Sequence, residues 1–171
     1  MFLTPDVSDR MKKEKQFTHI DATGNPAMVG VSNKKITKRT ARAQAIVHVG
    51  KKIIDEIKNN ELITKKGPVF QTSIIAGVMG AKKTSDLIPF CHPLGLEDCQ
   101  ISISVSKGKI IIDATAVVTA KTGVEMEAMT AASVAALTVY DMCKALSHDI
   151  VIEEVKLMEK TGGKKDFKRK Q

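Results

Sequence analysis

The chain has 171 residues, a length typical of one domain, and 43% of them are hydrophobic, which is enough for a buried core and excludes wholesale disorder. The net charge of +8 is compatible with nucleic-acid binding, but six of the 27 Lys and Arg residues lie within 160–171 beside a single acidic residue. With no Trp and one Tyr, the sequence offers few aromatic platforms on which single-stranded nucleic acid could stack.

Three further patterns limit the class of protein. The longest charge-free run near the C-terminal end, residues 128–140, is shorter than the roughly 20 residues that a membrane span needs. The N-terminal residues contain no apolar stretch of signal-peptide length, so we expect a cytoplasmic protein. Cys91, Cys99 and Cys143 form no CxxC pair, and we expect neither a disulfide framework nor a metal site.

In chain order, residues 1–16 are expected to form a flexible arm, and an irregular lead-in follows. Residues 39–49 are predicted to form a strand, because apolar residues gather at its end. Residues 51–59 have the isoleucine spacing of a short helix. Pro68 suits the first turn of a second helix, which we expect to run to about residue 83.

Two prolines bracket the next segment, PFCHPLG, and favour a rigid, extended loop. Alternation of apolar and polar residues over 101–106 predicts a strand, and a second alternating run follows at 110–119. Lys107-Gly108 between them is typical of a turn. The two runs therefore predict a β-hairpin with one buried face.

A long helix at 124–146 and a last strand at 151–158 complete the predicted order β-α-α-β-β-α-β. With one helix set aside, this order is the split βαβ or ferredoxin-like arrangement. We therefore predict an α+β domain with a four-stranded antiparallel sheet, helices on one face and an additional helix. The other face would be open and partly apolar, which favours oligomerisation. Residues 17–167 would form this single domain, and 168–171 a basic, mobile tail.

The long helix carries a narrow polar stripe on an otherwise apolar surface. At about 100° per residue, Thr130, Ser133, Asp141 and Lys144 fall on one side, with Glu127 near the edge. The stripe is compatible with an ordinary solvent-facing side and a surface Asp–Lys pair. It is equally compatible with a partly buried acid and base that have shifted pKa values and transfer protons.

Other candidate groups lie in loops and at the helix start. Glu125 and Glu127 either stabilise the helix dipole or place a carboxylate in a cleft. His92, held between prolines, is either structural or a fixed imidazole in a site. Lys66 and Lys164, each beside glycine, are either exposed lysines or point charges for an anion. Because no GxxxxGK[ST] or GxGxxG motif is present, a triphosphate would need such separated side chains.

Several stretches of the chain resemble one family closely. They are FTHIDATGNPAMVGVS, KGPVFQTSIIAGVMGAKKTSDLIPFCHPL, KTGVEMEAMTAASVAALTVYDMCKA and TGGKKDF, which lie between residues 17 and 167. They are similar to the molybdenum cofactor biosynthesis protein C family, the cyclic pyranopterin monophosphate synthases. The string GVEMEAMTAASVAALTVYDMCKA is long enough to make the resemblance specific.

The resemblance implies a lyase that takes 3′,8-cyclo-7,8-dihydroguanosine 5′-triphosphate, the product of a radical enzyme. It would rearrange this substrate to cyclic pyranopterin monophosphate and release pyrophosphate by acid–base chemistry, without a cofactor. It also implies a ferredoxin-like fold and a homohexamer, built as a trimer of dimers with active sites at subunit interfaces. Neither nucleic acid nor a membrane would be a partner.

The same resemblance implies roles for individual residues. The catalytic residues would be Lys66, Asp141 and Lys144, with the lysines transferring protons and the carboxylate setting their protonation. The residues implied in substrate binding are Phe90, Cys91, His92, Glu125, Met126, Glu127 and Lys164. Of these, His92 and Lys164 would hold phosphate.

Two positions depart from the family pattern. Gly30 stands where the family usually has Asp, in MVDVS. The GGKKDF segment is one residue shorter than the family's GGKSGDF, which leaves Lys164 and Lys165 as alternatives for the phosphate-binding lysine.

From the residues alone two other functions stay open. One is a basic RNA-binding module, although the strand at 101–106 lacks the stacking aromatics that it requires. The other is a catalytically inactive structural subunit.

Overall fold

The computed structural model describes residues 24–170, so the expected arm at 1–16 lies outside the described residues. In chain order the elements are β1 (Thr37–His48), α1 (Lys51–Ile54), β2 (Ile63–Thr64), β3 (Gly67–Pro68), α2 (Val69–Lys82), α3 (Thr84–Leu87), β4 (Asp98–Ser106), β5 (Lys109–Ala120), α4 (Glu125–Cys143), β6 (Val151–Thr161) and β7 (Phe167–Lys168). In this part of the chain no helix is long and apolar enough to span a membrane. The cytoplasmic location stays a prediction.

Five strands form an antiparallel sheet in the order β4-β5-β1-β6-β7. The central strands β1 and β5 pair over their whole length, from Thr37 opposite Ala120 to His48 opposite Lys109. The prediction of four strands was wrong by one, because β7 is a two-residue edge strand and two residues cannot show an alternating pattern. The strands of the separate β2–β3 hairpin and the four-residue helix α3 are also too short to show a periodic pattern, so neither was predicted.

Lys168 and Arg169 are attached to the sheet, although the sequence predicts a mobile tail from residue 168 onward. Lys168 pairs with Glu159 across β6 and β7. The backbone N–H of Arg169 donates to the carbonyl of Met158 at 2.8 Å, and its Nε donates to the carbonyl of Leu157 at 2.9 Å. Charge composition could not show this, because the attachment uses backbone groups at the edge of β6.

One face of the sheet and the two long helices enclose the core. The inward residues of β1 and β5 that are almost completely buried are Ala41, Ala43, Ala45, Val47, Ile110, Ile112, Ala114 and Ala116. Buried alanines of α4 lie against them and permit a close approach. In α2, a Cβ added at Gly77 would lie 2.9 Å from the carbonyl oxygen of Ala131, so only glycine lets α2 pack this closely on α4.

The opposite face of the sheet is mixed in character. Arg42 Nη1 lies 2.7 Å from Asp113 Oδ1, and Gln44 Nε2 donates to the same oxygen at 3.2 Å. The half-buried Ile46 and Ile111 lie on this face beside them. The face is therefore partly apolar, and a polar network crosses its centre.

Two helices are shorter than the sequence predicts. Helix α1 ends at Ile54, and the chain then turns back through Asn59 and Asn60, which have positive φ values of 52° and 58°. Helix α4 ends at Cys143, where the pattern predicts about residue 146. Helix α2 begins at Val69, one residue after the predicted start, because Pro68 has extended backbone and belongs to β3.

Candidate functional site

A cavity of about 740 Å³ lies at the start of α4. The loop after α3, the first turn of α4, the segment before β1 and the turn after β6 form its walls. The residues predicted to bind substrate all line it: Phe90, Cys91, His92, Glu125, Met126, Glu127 and Lys164. The structure therefore brings together side chains from three separate stretches of sequence, whose role in binding stays a prediction.

Two lysines that the sequence analysis missed, Lys34 and Lys160, also line this cavity. Lys160 Nζ lies 2.8 Å from Glu125 Oε1. Lys160 is opposite Ala41 in the sheet and so shares the face that α4 covers, but a bulge in β6 interrupts the alternation that would have revealed it. Lys34 precedes β1 in an irregular segment, where no periodic signal exists.

Glu127 is a buried carboxyl group in the wall of the cavity, with only 4% of the residue exposed. Burial raises its pKa, and the nearby charge of Glu125 raises it further, against a backbone hydrogen bond that lowers it. Burial also raises the pKa of the Cys91 thiol, with a contribution from the charge of Glu127. This part of the cavity therefore disfavours negative charge on Glu127 and Cys91. A ligand that donates hydrogen bonds to Glu127 would stabilise its charged form.

The cations at the cavity suit an anionic ligand. Three lysines and His92 face two glutamates, and Glu125 is already paired with Lys160. Of the two alternatives in the GGKKDF segment, both described, Lys164 lines the cavity and Lys165 is not among its lining residues. Lys34 and Lys164 are therefore the lysines that can meet phosphate groups.

A second cluster lies at the other end of α4. Asp141 Oδ2 is 2.7 Å from Lys66 Nζ, and Asp141 Oδ1 is 2.8 Å from Lys144 Nζ. Lys66 Nζ also donates to the backbone carbonyl of Asp141 at 3.0 Å. The structure thus brings together the three residues that were predicted to be catalytic, although Lys66 is distant from the other two in sequence.

The charges of this cluster set its protonation state. The hydrogen bond from Lys144, followed by that from Lys66, lowers the pKa of Asp141 to about 2. Asp141 in turn raises the pKa of Lys144 by a hydrogen bond and by its charge. Both side chains are more than half exposed, so the partial burial that the sequence pattern suggested for this pair is not found. Partner charges rather than desolvation therefore cause the two pKa shifts. At neutral pH Lys144 is therefore protonated.

The hairpin of β2 and β3 places Lys66, and Glu61 fixes this hairpin to α2. Glu61 Oε1 accepts hydrogen bonds at 2.8 Å from the backbone N–H groups of Leu62 and Phe70, and Oε2 accepts one from Gln71 at 3.1 Å. A carboxylate is favourable at a helix N-terminus. Glu61 is too far from α2 in sequence to fit a capping motif, so the sequence analysis missed it.

The polar stripe on α4 is not one exposed side. Glu127 and Thr130 are buried, and Ser133 Oγ donates to the carbonyl of Met129 at 2.8 Å. Asp141 and Lys144 are exposed. The stripe begins at the cavity and ends at the cluster around Asp141.

These two groups of residues are far apart within one chain. Glu125 and Asp141 are sixteen positions apart in α4, which corresponds to about 24 Å along the helix axis. Lys66, Asp141 and Lys144 are therefore not among the residues that line the cavity.

The cysteines show no sign of a shared site. Cys91, Cys99 and Cys143 are all free, and burial raises the pKa of the Cys143 thiol to about 11. Within residues 24–170, no group of three His, Cys, Asp or Glu side chains is arranged to hold a metal ion.

An antiparallel sheet covered by two long helices, with a lysine-lined cavity and an Asp–Lys cluster, defines an α/β protein with a candidate site for a small anionic ligand. The sequence model of the MoaC family matches residues 28–163. The chain therefore belongs to the MoaC family.

Curated relatives extend this similarity. A protein of Xanthomonas campestris named cyclic pyranopterin monophosphate synthase is 47% identical over 153 residues, which is 89% of this chain and 93% of the relative. The molybdenum cofactor biosynthesis bifunctional protein of Synechocystis is 50% identical over 155 residues, and molybdenum cofactor biosynthesis protein 1 of Dictyostelium discoideum is 46% identical over 170. The matches cover 88% and 89% of this chain but only 45% and 27% of those two longer proteins.

Proposed function

We propose that the chain is a cyclic pyranopterin monophosphate synthase of molybdenum cofactor biosynthesis. It would convert 3′,8-cyclo-7,8-dihydroguanosine 5′-triphosphate to cyclic pyranopterin monophosphate and pyrophosphate. Membership of the MoaC family and the name of the Xanthomonas relative support this proposal. The observation that carries it is the cavity, where all seven residues implied in substrate binding lie together with an excess of lysine. The names of the relatives lend no support to the RNA-binding or structural-subunit alternatives.

The reaction is a lyase reaction within one substrate molecule. A hydroxyl oxygen of the substrate forms a new bond to the α-phosphorus, and the bond between the α-phosphorus and the oxygen that bridges to the β-phosphorus breaks. Pyrophosphate leaves, and the proton of the hydroxyl group is released with it. Lys164 and His92, with Lys34, would hold the phosphates, and Glu127 would accept hydrogen bonds from the base. Protonated Lys144, with Lys66, would donate and recover protons during the ring rearrangement, while Asp141 orients both lysines.

The proposed catalytic and binding groups belong to one active site only if a second copy of the chain takes part. In a two-fold dimer with antiparallel α4 helices, the Asp141 end of one helix would meet the Glu125 end of the other. Exposed apolar side chains on α4 and on the neighbouring helix α2 support such a contact. Ile75 and Met79 on α2 are 62% and 56% exposed, and Leu137 on α4 is 58% exposed. We therefore propose a homohexamer, a trimer of dimers, with active sites at subunit interfaces.

The finer fold assignment is part of the same proposal. The four long strands lie in the order β4-β5-β1-β6. This order places the first strand beside the third and fourth, which supports the ferredoxin-like, split βαβ arrangement. Strand β7 and the β2–β3 hairpin would be additions to it.

The activity is tested by giving the purified protein the cyclised guanosine triphosphate and measuring pyrophosphate and the pterin product. We expect both in equal amounts. Lys165→Ala serves as the matched control for Lys164→Ala, because only Lys164 lines the cavity. Absence of both products with folded, soluble protein would refute the proposal.

The shared site is tested by mixing chains. Asp141→Asn and Lys164→Ala chains are unfolded together and refolded as mixed assemblies, and turnover is measured well below the KM, where the weaker binding of Lys164→Ala limits the rate. If each site takes Asp141 from one copy and Lys164 from another, about one quarter of the sites regain both groups. Activity no higher than that of either variant alone would place the site within one chain.

A further inference from the structure

The turn that carries Lys164 is held by two side chains outside the cavity. It joins β6 to β7 and begins with Gly162 and Gly163. The backbone N–H of Gly162 donates to Asp166 Oδ1 at 3.1 Å. The hydroxyl of Thr37 donates to the carbonyl of Gly162 at 2.8 Å. Both backbone groups of Gly162 are therefore bound to side chains.

The same glycine lies directly against the first residues of β1. Gly162 has a φ of +80°, and a Cβ added there would collide with the carbonyl oxygen of Lys38. At the next position, a Cβ on Gly163 would lie 3.2 Å from Arg39 Nη1. The turn is therefore packed on β1, even though two successive glycines would otherwise leave it free to adopt many conformations.

We propose that Asp166 and Thr37 are positioning residues, which act through Gly162 to present the Lys164 ammonium group to phosphate in the cavity. Neither lines the cavity, so neither touches the ligand itself. The inference rests on the proposed function, since it takes the ligand to be a triphosphate. Without these two hydrogen bonds, the turn would sample other conformations and Lys164 would spend less time at the site.

The test measures binding of inorganic triphosphate to the full-length chain by titration calorimetry at constant ionic strength. We expect Lys164→Ala to weaken binding roughly tenfold. We expect Asp166→Ala and Thr37→Val to weaken it about three- to fivefold. Asp166→Asn keeps the acceptor oxygen and removes the charge, so it should bind within about twofold of the wild type. Lys165→Ala is the control for loss of one positive charge on the same turn.

A double variant shows whether Asp166 acts through Lys164. Asp166→Ala combined with Lys164→Ala should bind no more weakly than Lys164→Ala alone, because a displaced turn has no lysine to lose. With the cyclised substrate, Asp166→Ala should raise KM and leave kcat nearly unchanged. If Asp166 had only a structural role, Asp166→Ala would lower the thermal midpoint without raising KM at an unchanged kcat. If Asp166→Ala fails to fold, Thr37→Val tests the same link from the other side of Gly162.

Three results would overturn the inference: unchanged binding in Asp166→Ala and Thr37→Val, equal losses in Asp166→Ala and Asp166→Asn, or additive losses in the double variant. A wild-type chain that does not bind triphosphate would overturn it as well. Failure of the proposed function is distinct from these results. A chain that binds triphosphate with the expected pattern but does not convert the substrate would refute the synthase activity and support the positioning role.

Discussion

The ammonium group of Lys66 lies 2.7 Å from the carboxylate of Asp141, although 75 positions separate the two residues in the chain. Lys144 approaches the second carboxylate oxygen of Asp141 at 2.8 Å. Both ion pairs are about half exposed, and exposed ion pairs generally contribute little to stability. A large contribution to stability is therefore not expected from either pair, which is compatible with the proposed catalytic role of Asp141.

Asp141→Asn should reduce turnover by about 10²–10⁴-fold, the range for loss of acid–base function, while the fold stays intact. The amide keeps the shape of the side chain but removes the charge that raises the pKa of Lys144, so this pKa should fall. The rate should be measured as a function of pH, together with the thermal midpoint. A near-normal rate with a normal pH profile would contradict the catalytic assignment.

The ion pairs of Asp141 should also give a defined pH dependence of stability. Its pKa is lowered from 3.8 to about 2 in the folded chain. A lowered pKa means that the stabilisation is complete above the unfolded value and is lost as the pH falls through the folded value. Because both pairs are exposed to solvent, the difference in thermal midpoint between the wild type and Asp141→Asn should be small. It should be constant above about pH 5 and shrink towards pH 2. A difference that does not change across this range would show that the carboxylate is not stabilised by the lysines.

The sequence predicted the long elements well because their signals are periodic. Alternation predicted β4 and β5, and Pro68 predicted the start of α2 to within one residue. Short elements such as β7 and the β2–β3 hairpin depend on backbone contacts with distant segments, which no local pattern records. Residue patterns indicated candidate groups such as Asp141, Lys144 and His92, and the family resemblance implied their roles. Lys34, Lys160 and Glu61 were missed because an irregular segment, a strand bulge and a long-range cap leave no spacing to recognise.

Glu127→Gln should stabilise the chain at neutral pH and weaken substrate binding. The folded pKa of Glu127 lies above its ordinary value of 4.5. Its contribution to stability is therefore complete below the unfolded pKa and is lost as the pH rises through the folded pKa. A neutral amide avoids this loss, so the thermal midpoint at pH 7 should rise and the gain should vanish near pH 4. A lower midpoint of the variant at pH 7 would show that a buried partner stabilises the charged carboxylate.

Gly30→Asp should be tolerated by the fold. A Cβ added at Gly30 meets no atom within 4 Å, so the stability should change by no more than about 0.5 kcal/mol. Turnover should stay within about threefold of the wild type, because the carboxylate usual in the family is added at the edge of the cavity without displacing a neighbour. Gly162→Ala is the matched control and should be destabilised, because its Cβ would meet the Lys38 carbonyl. A gain in turnover above tenfold for Gly30→Asp would assign the missing carboxylate a part in the reaction.

Deletion of residues 168–171 should lower stability but leave the activity of the folded chain largely intact. The deletion removes Lys168 from its pairing with Glu159, and it removes both hydrogen bonds of Arg169 to β6. Loss of these contacts should cost about 1–2 kcal/mol, which lowers the thermal midpoint by several degrees. Deletion of residues 170–171 alone keeps these contacts and is the control.

Because residues 168–170 do not line the 740 Å³ cavity, the turnover of the deletion variant, measured at temperatures well below its thermal midpoint, should stay within about tenfold of the wild type. A larger loss of turnover at an unchanged midpoint would show that the basic end takes part in the active site, for example by contributing its lysines to the cavity of a neighbouring copy.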